Sequence, residues 1–153
     1  MKDDIILNLT IEKQKGERLC WSAVCVSLMS FFEVKPMDQI SFAKLIMGES
    51  YDRFCSPIKP FSFLNLLREE LDKPLTQAEI AFELHSGNPV VACMKHFVGW
   101  HLVVIHGIRN SEHLWVGDPL WGSSNWGINE FTYAYRQHYS WTHTYKIQHP
   151  RLT

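Results

Sequence analysis

An α+β fold is predicted by the order in which patterns occur along the chain. Helical periodicity fills the first half, short β-branched apolar runs fill the second, and turn residues separate those runs at hairpin spacing. Residues 20–33 are apolar or small on most sides, the pattern of a buried helix, and Pro36 interrupts it. Asp38 is a fitting N-cap for a second helix to Met47, with Gly48 as its stop. Residues 50–60, with Pro57 and Pro60, read as loop. Phe63, Leu64, Leu67 and Leu71 then make a helical stripe over 61–71. Thr76 and Glu79 have capping-box spacing and open a helix over 76–84, closed before Gly87.

Residues 89–95 (Pro-Val-Val-Ala-Cys-Met-Lys) and 101–108 (His-Leu-Val-Val-Ile-His-Gly-Ile) have strand character. Asn110-Ser111-Glu112 makes a turn, and residues 113–116 pair back as a hairpin. A Gly/Pro/Ser/Trp loop covers 118–127. A short helix over 129–135 and a last strand over 141–148 complete an antiparallel sheet that follows the helices.

Composition bounds the function. A chain of 153 residues fits one domain, taken as 1–153, and no repeat or low-complexity linker divides it. Fifteen basic against sixteen acidic residues give a net charge of −1, with no basic excess for nucleic acid. No apolar run approaches the ~18 residues of a membrane span. The first residues, Met-Lys-Asp-Asp-Ile-Ile-Leu-Asn, lack the basic flank and long apolar core of a secretory signal. The expected location is the cytoplasm, unless signal-less export or injection carries the protein out. Four cysteines at irregular spacing, Cys20, Cys25, Cys55 and Cys93, predict neither a disulfide framework nor a zinc finger. On a helix Cys20 and Cys25 lie ~140° apart, which turns Cys25 away from Cys20. Cys25, Cys55 and Cys93 read as core or loop residues.

Cys20 opens the buried helix. A thiol at a helix N-terminus feels the positive end of the dipole and the unpaired N–H groups, both of which favour the thiolate nucleophile. Such a nucleophile needs a base. His101, opening an apolar strand after Gly99-Trp100, is the best placed of eight histidines. Along that strand His101, Val103 and Ile105 share one face and His106 points the other way. Asp118 ends the returning strand in Val116-Gly117-Asp118-Pro119, so the hairpin brings it back to His101 as an orienting acceptor. The backbone N–H of Cys20 and the side-chain amide of Gln14, six residues upstream, are candidate oxyanion donors. Taken singly, Cys20 reads as a small buried hydrophobe, His101 as a core histidine, Asp118 as a turn former and Gln14 as a surface amide. His96 reads as a solvated loop side chain. Trp121 and Trp126 read as packing, with the option that one shields the His101–Asp118 bond from water.

Together, Gln14…Cys20-Trp21-Ser22-Ala23, then Gly99-Trp100-His101 and its strand, then Val116-Gly117-Asp118-Pro119, resemble the papain-like cysteine peptidase superfamily. The resemblance is to its compact bacterial branch of double-glycine leader peptidases, staphopains and type III effector proteases. It spans about residues 14–145 and includes Gly87-Asn88-Pro89-Val90 before the first strand. It implies a papain-like fold with a cleft between a helical half bearing Cys20 and a sheet bearing His101 and Asp118. It also implies Gln14 in the oxyanion hole, a peptide or protein substrate, and no cofactor or metal. Two departures stand out: Trp100 where that branch often has glycine, and a short segment between helices and sheet. The same residues admit a transferase, ligase or deamidase, and a silent peptide-binding pseudo-peptidase is the reading from another class. No propeptide is evident, so control is expected from a regulatory or delivery partner, restricted access or a narrow cleft.

Overall fold

A helix apolar on every side must be packed on every side. That is the position of α1 (Cys20–Phe31) in the computed structural model, which describes residues 4–35, 37–97 and 99–150. Its first ten residues are buried. It stops at Phe31, and Glu33 takes a left-handed φ of 58°. Pro36 lies outside the described residues. Helix α2 (Gln39–Met47) starts as its sequence predicts, with the Asp38 carboxylate accepting from the Ser41 N–H at 2.8 Å. Gly48 ends it with a φ of 79°.

The predicted 61–71 helix is replaced by two elements. Helix α3 (Ile58–Phe63) begins inside the expected loop, and strand β2 (Leu67–Leu71) follows it. Pro60 is tolerated because the first turn of a helix has no acceptor for its N–H groups anyway. Asn65, at a φ of 58°, ends the helical run. Leu67 and Leu71 share a face at a spacing of four whether the period is 3.6 or 2, so the stripe did not discriminate. Helix α4 (Gln77–His85) has both hydrogen bonds of the predicted capping box, Thr76 N–H to Glu79 and Glu79 N–H to Thr76 Oγ1.

Strands β3 (Val90–His96), β4 (Gly99–Arg109) and β5 (His113–Gly117) match the predicted runs, and β7 (Ser140–Ile147) matches the last. Helix α5 (Ile128–Ala134) is the predicted short helix. Two strands were not anticipated: β1 (Ile5–Ile6), and β6 (Ser124–Gly127) inside the expected loop. The described strands form one antiparallel sheet in the order β2-β7-β3-β4-β5-β6, and β1 pairs with β4 at Ile108 and Gly107. The expected split into helical half and sheet is therefore looser than the sequence predicts, since β1 and β2 come from the first half.

Alternation along β3 and β4 sorts the core into two layers. Val91, Cys93, Leu102 and Val104 pack with α1, α2 and α3. Val90, Ala92, Met94, Val103 and Ile105 pack with α4 and α5 on the opposite face. A bulge between Ile105 and Gly107 sets His106 out of simple alternation. Its Nδ1 lies 3.4 Å from the Leu7 carbonyl, and its own carbonyl accepts from the Leu7 N–H at 2.7 Å.

Candidate active site

Cys20 is the first residue of α1 and is 2% exposed. The helix behind it is fixed from two sides. Trp21 is fully buried and its Nε1–H donates to the Arg53 carbonyl at 3.0 Å, while Ser22 Oγ donates to the Gln39 carbonyl at 2.7 Å. The small residues after Cys20 thus let α1 sit close to the loop at 53 and the start of α2.

His101 lies on β4 opposite Met94 of β3, and Asp118 follows β5. The β4–β5 pairing places Gly117 beside Val104, which returns Asp118 to His101. Nε2 of His101 is 2.7 Å from Asp118 Oδ1. With that nitrogen committed to the carboxylate, Nδ1 is left for Cys20, which is hydrogen-bonded to the imidazole. Burial opposes a charge on His101, but the hydrogen bonds to Asp118 and Cys20 outweigh it and raise the imidazolium to about 9. Burial likewise opposes a charge on Asp118, and the hydrogen bond and charge of His101 overcome it, leaving the carboxyl below its usual range. The anion is 1% exposed and well supplied with donors. Oδ1 also accepts from the N–H groups of Leu120 at 2.7 Å and Trp121 at 3.2 Å, and Oδ2 from the Tyr135 hydroxyl at 2.6 Å.

Gln14 lines the same cleft, a cavity of about 150 Å³ walled by Phe54, Trp100, Leu120 and Tyr139 around Cys20 and His101. Its Nε2 donates to the carbonyls of Gly16 at 2.8 Å and Glu17 at 3.1 Å. Among the described residues its buried Oε1 has no partner. The Gln14 N–H donates to the Pro119 carbonyl at 2.7 Å, which ties this loop to the turn that carries Asp118. Gln14, Cys20 and His101 therefore line one cleft, and Asp118 stands buried behind His101.

Three neighbours escape a reading by sequence. Gln39, 1% exposed, accepts from the Lys15 N–H and donates to the Lys13 carbonyl and the Glu12 carboxylate, holding the segment that bears Gln14. Tyr135 reaches Asp118 from α5. His96, expected in solvent, ends β3, lines the cleft and packs its ring on Tyr139 at a centroid distance of 5.0 Å. Of the two tryptophans, Trp121 meets His101 edge-on at 5.8 Å, whereas Trp126 packs on Tyr135. Trp100, the departure noted above, leans on Phe54 at 5.6 Å and forms one wall.

The other cysteines are buried in the core and do not line the cleft. All four are free thiols. Burial holds the Cys25 thiol far above its ordinary value and pushes Cys93 up to about 12. Among the described residues no three metal-ligating side chains converge, and no helix is long and apolar enough to cross a membrane.

Solved structures share the fold, two of them peptidase domains of transporters. The peptidase domain of Streptococcus ComA, a bifunctional ABC transporter involved in quorum sensing, superposes with a TM-score of 0.70 at 14% identity. It covers 94% of this chain and 100% of that one. A double-glycine motif protease from an AMS/PCAT transporter, solved with its leader peptide, gives 0.61 at 14% identity over 94% of each chain. A comparison with curated proteins gives no match. Residues 2–136 match the family described as papain-like cysteine protease AvrRpt2, most of the chain, and the protein belongs to that family.

Proposed function

We propose that this protein hydrolyses peptide bonds with Cys20 as nucleophile, His101 as acid and base, and Asp118 as the group that orients His101. The observation that carries the reading is the continuous hydrogen-bonded line from Asp118 through His101 to a thiol at a helix N-terminus. The raised imidazole keeps its proton at neutral pH and so stands as a cation beside the Cys20 sulfur. The Cys20 Sγ adds to the scissile carbonyl carbon. The oxyanion formed is met by the Cys20 N–H, and the Gln14 amide joins it by giving up one of its two bonds to the Gly16 and Glu17 carbonyls. Nδ1 of His101 passes its proton to the leaving amine as the C–N bond breaks, which leaves a thioester. The same nitrogen then takes a proton from water, and hydroxide addition releases the acid and the free thiol.

The substrate is a peptide or an extended protein segment. The relative solved with a leader peptide supports this, as does a cleft open along the Phe54, Trp100 and Leu120 walls. Free thiols fit a reducing compartment such as the cytoplasm.

The test is an unbiased peptide-library digest, with product masses, run beside alkylation of Cys20 by iodoacetamide. Cleavage that adds one water per cut, and that is abolished in Cys20→Ala and reduced at least ~10³-fold in His101→Ala, is expected. Products joined to an added amine without uptake of water would indicate a transferase. Cleavage unchanged in Cys20→Ala would sink the assignment.

A further inference from the structure

Asp118 carries two carboxylate oxygens, and the mechanism above uses one. The second is not left to water. Tyr135 Oη donates to Oδ2 at 2.6 Å from a side chain that is fully buried. The Tyr135 oxygen in turn accepts from Arg136 Nε at 3.2 Å. That bond fills the acceptor side of the hydroxyl and leaves its hydrogen for the carboxylate.

Arg136 is itself held in place. Its guanidinium lies 5.2 Å from the Trp121 ring centroid, 5.6 Å from Trp126 and 5.3 Å from Tyr135. Its Nη2 donates to Ser124 Oγ at 3.3 Å, and Ser124 Oγ also accepts from Trp126 Nε1 at 2.7 Å. Nε stands 4.0 Å from Asp118 Oδ2. The backbone bends to allow this. Arg136 and Gln137 have φ of 49° and 72°, left-handed values that side-chain-bearing residues adopt at a cost. Two such residues in succession turn the chain straight after α5 and send the guanidinium back toward the site. Strain kept next to a buried hydrogen-bond chain is the pattern of a functional constraint.

We propose that Tyr135 and Arg136 are positioning residues for catalysis: Tyr135 fixes the rotation of the Asp118 carboxylate so that Oδ1 faces His101, and Arg136 orients the Tyr135 hydroxyl and supplies the positive charge behind the carboxylate. The inference rests on the peptidase reading of the cleft. Without the Tyr135 donor, the carboxylate turns about its Cβ–Cγ bond and His101 loses its preferred tautomer and direction. Substrate contacts are untouched, so the loss falls on kcat and not on KM. Without the Arg136 charge, the His101 imidazolium keeps its proton to higher pH.

The experiment compares wild type, Tyr135→Phe, Arg136→Gln and Arg136→Lys. Each is measured for kcat and KM per alkylatable Cys20 thiol, and for the pH dependence of kcat/KM. The expected result for Tyr135→Phe is a fall in kcat of about ten- to a hundredfold at unchanged KM, as for the loss of a hydrogen bond to a charged group. Arg136→Gln should move the alkaline, His101 limb of the pH profile upward and lower kcat, and Arg136→Lys should restore the limb more than the rate. Should Tyr135→Phe fail to fold, the Arg136 pair, at a side chain 26% exposed, carries the test alone. Wild-type kcat in Tyr135→Phe, or an unmoved profile in Arg136→Gln, overturns the proposal while leaving the cleft reading intact. A wild-type chain whose Cys20 alkylation is indifferent to His101→Ala overturns the cleft reading first.

Discussion

Trp121 stands edge-on to His101 with 46% of its surface still exposed, so it covers the imidazole without sealing it. A hydrogen bond between charged groups weakens as water enters, because the local dielectric rises. Trp121→Phe keeps a ring but shortens the cover over the His101–Asp118 bond. The imidazolium, raised to about 9, should then lose its proton at lower pH. The expected outcome is a descent of the alkaline limb of Cys20 alkylation toward neutrality and a several-fold loss of kcat/KM; an unshifted limb with full activity would show that Trp121 only packs. The side chains in this bond were legible in the sequence for a definite reason. His101 and Asp118 flank one hairpin, so local turn signals place them together, and Cys20 opens a helix whose apolar character is plain. Tyr135 was not legible. It meets Asp118 through the chain's return after α5, and nothing in the local pattern at 135 announces an anionic partner.

At the scale of the elements, the segment bearing Gln14 has no secondary structure and is held by bonds to its neighbours. Gln39 at the start of α2 supplies three of them, to Glu12, Lys13 and Lys15. Gln39→Met keeps the length of the side chain and removes its amide, leaving the Lys15 N–H and the Lys13 carbonyl without this partner. Both groups are part-buried and within reach of water, so the expected cost is ~0.5–1.5 kcal/mol of stability for each hydrogen bond lost, read from the denaturant midpoint. Peptide turnover should fall further than stability requires, because Gln14 loses its support. Alkylation by iodoacetamide, which forms no oxyanion, should keep its wild-type rate per folded molecule; a parallel fall in both rates would mean that Gln39 supports Cys20 itself. Element boundaries show where pattern reading fails. The capping box at Thr76 and the run at β4 were read correctly because cap chemistry and long apolar alternation are local. The sequence predicts helix where β2 lies because Leu67 and Leu71 satisfy both periods. Strand β6, Ser124-Asn125-Trp126-Gly127, is short and polar, and only pairing with β5 makes it a strand.

Across the whole molecule, three buried groups set how stability follows pH, and their signs differ. Asp118 is more acidic folded than unfolded, so its contribution is present above its ordinary value near 3.8 and lost as pH falls through the folded value. His101 is less acidic folded than unfolded. Its contribution is complete below about 6.5 and disappears as pH rises through about 9. His106 runs the other way from His101: burial lowers its folded value, opposed in part by the Leu7 backbone, so the unfolded chain takes up the proton first. Stability should therefore fall as pH drops below 6.5, before Asp118 begins to titrate. His106 occupies the bulge beside the Leu7 tie to β4, so the charge that burial opposes lies where the N-terminal strand meets the sheet. The expected profile of thermal midpoint against pH is a maximum near pH 6.5, falling on the acid side through His106 and on the alkaline side, up to about pH 9, through His101. His106→Asn should lower the maximum, since packing is lost, but flatten the slope between pH 6.5 and 5. His101→Asn should flatten the slope between pH 6.5 and about 9 and leave the acid limb in place. If His106→Asn keeps the wild-type acid slope, the proton taken up there belongs to another group, and the N-terminal tie has no part in the acid sensitivity of the fold.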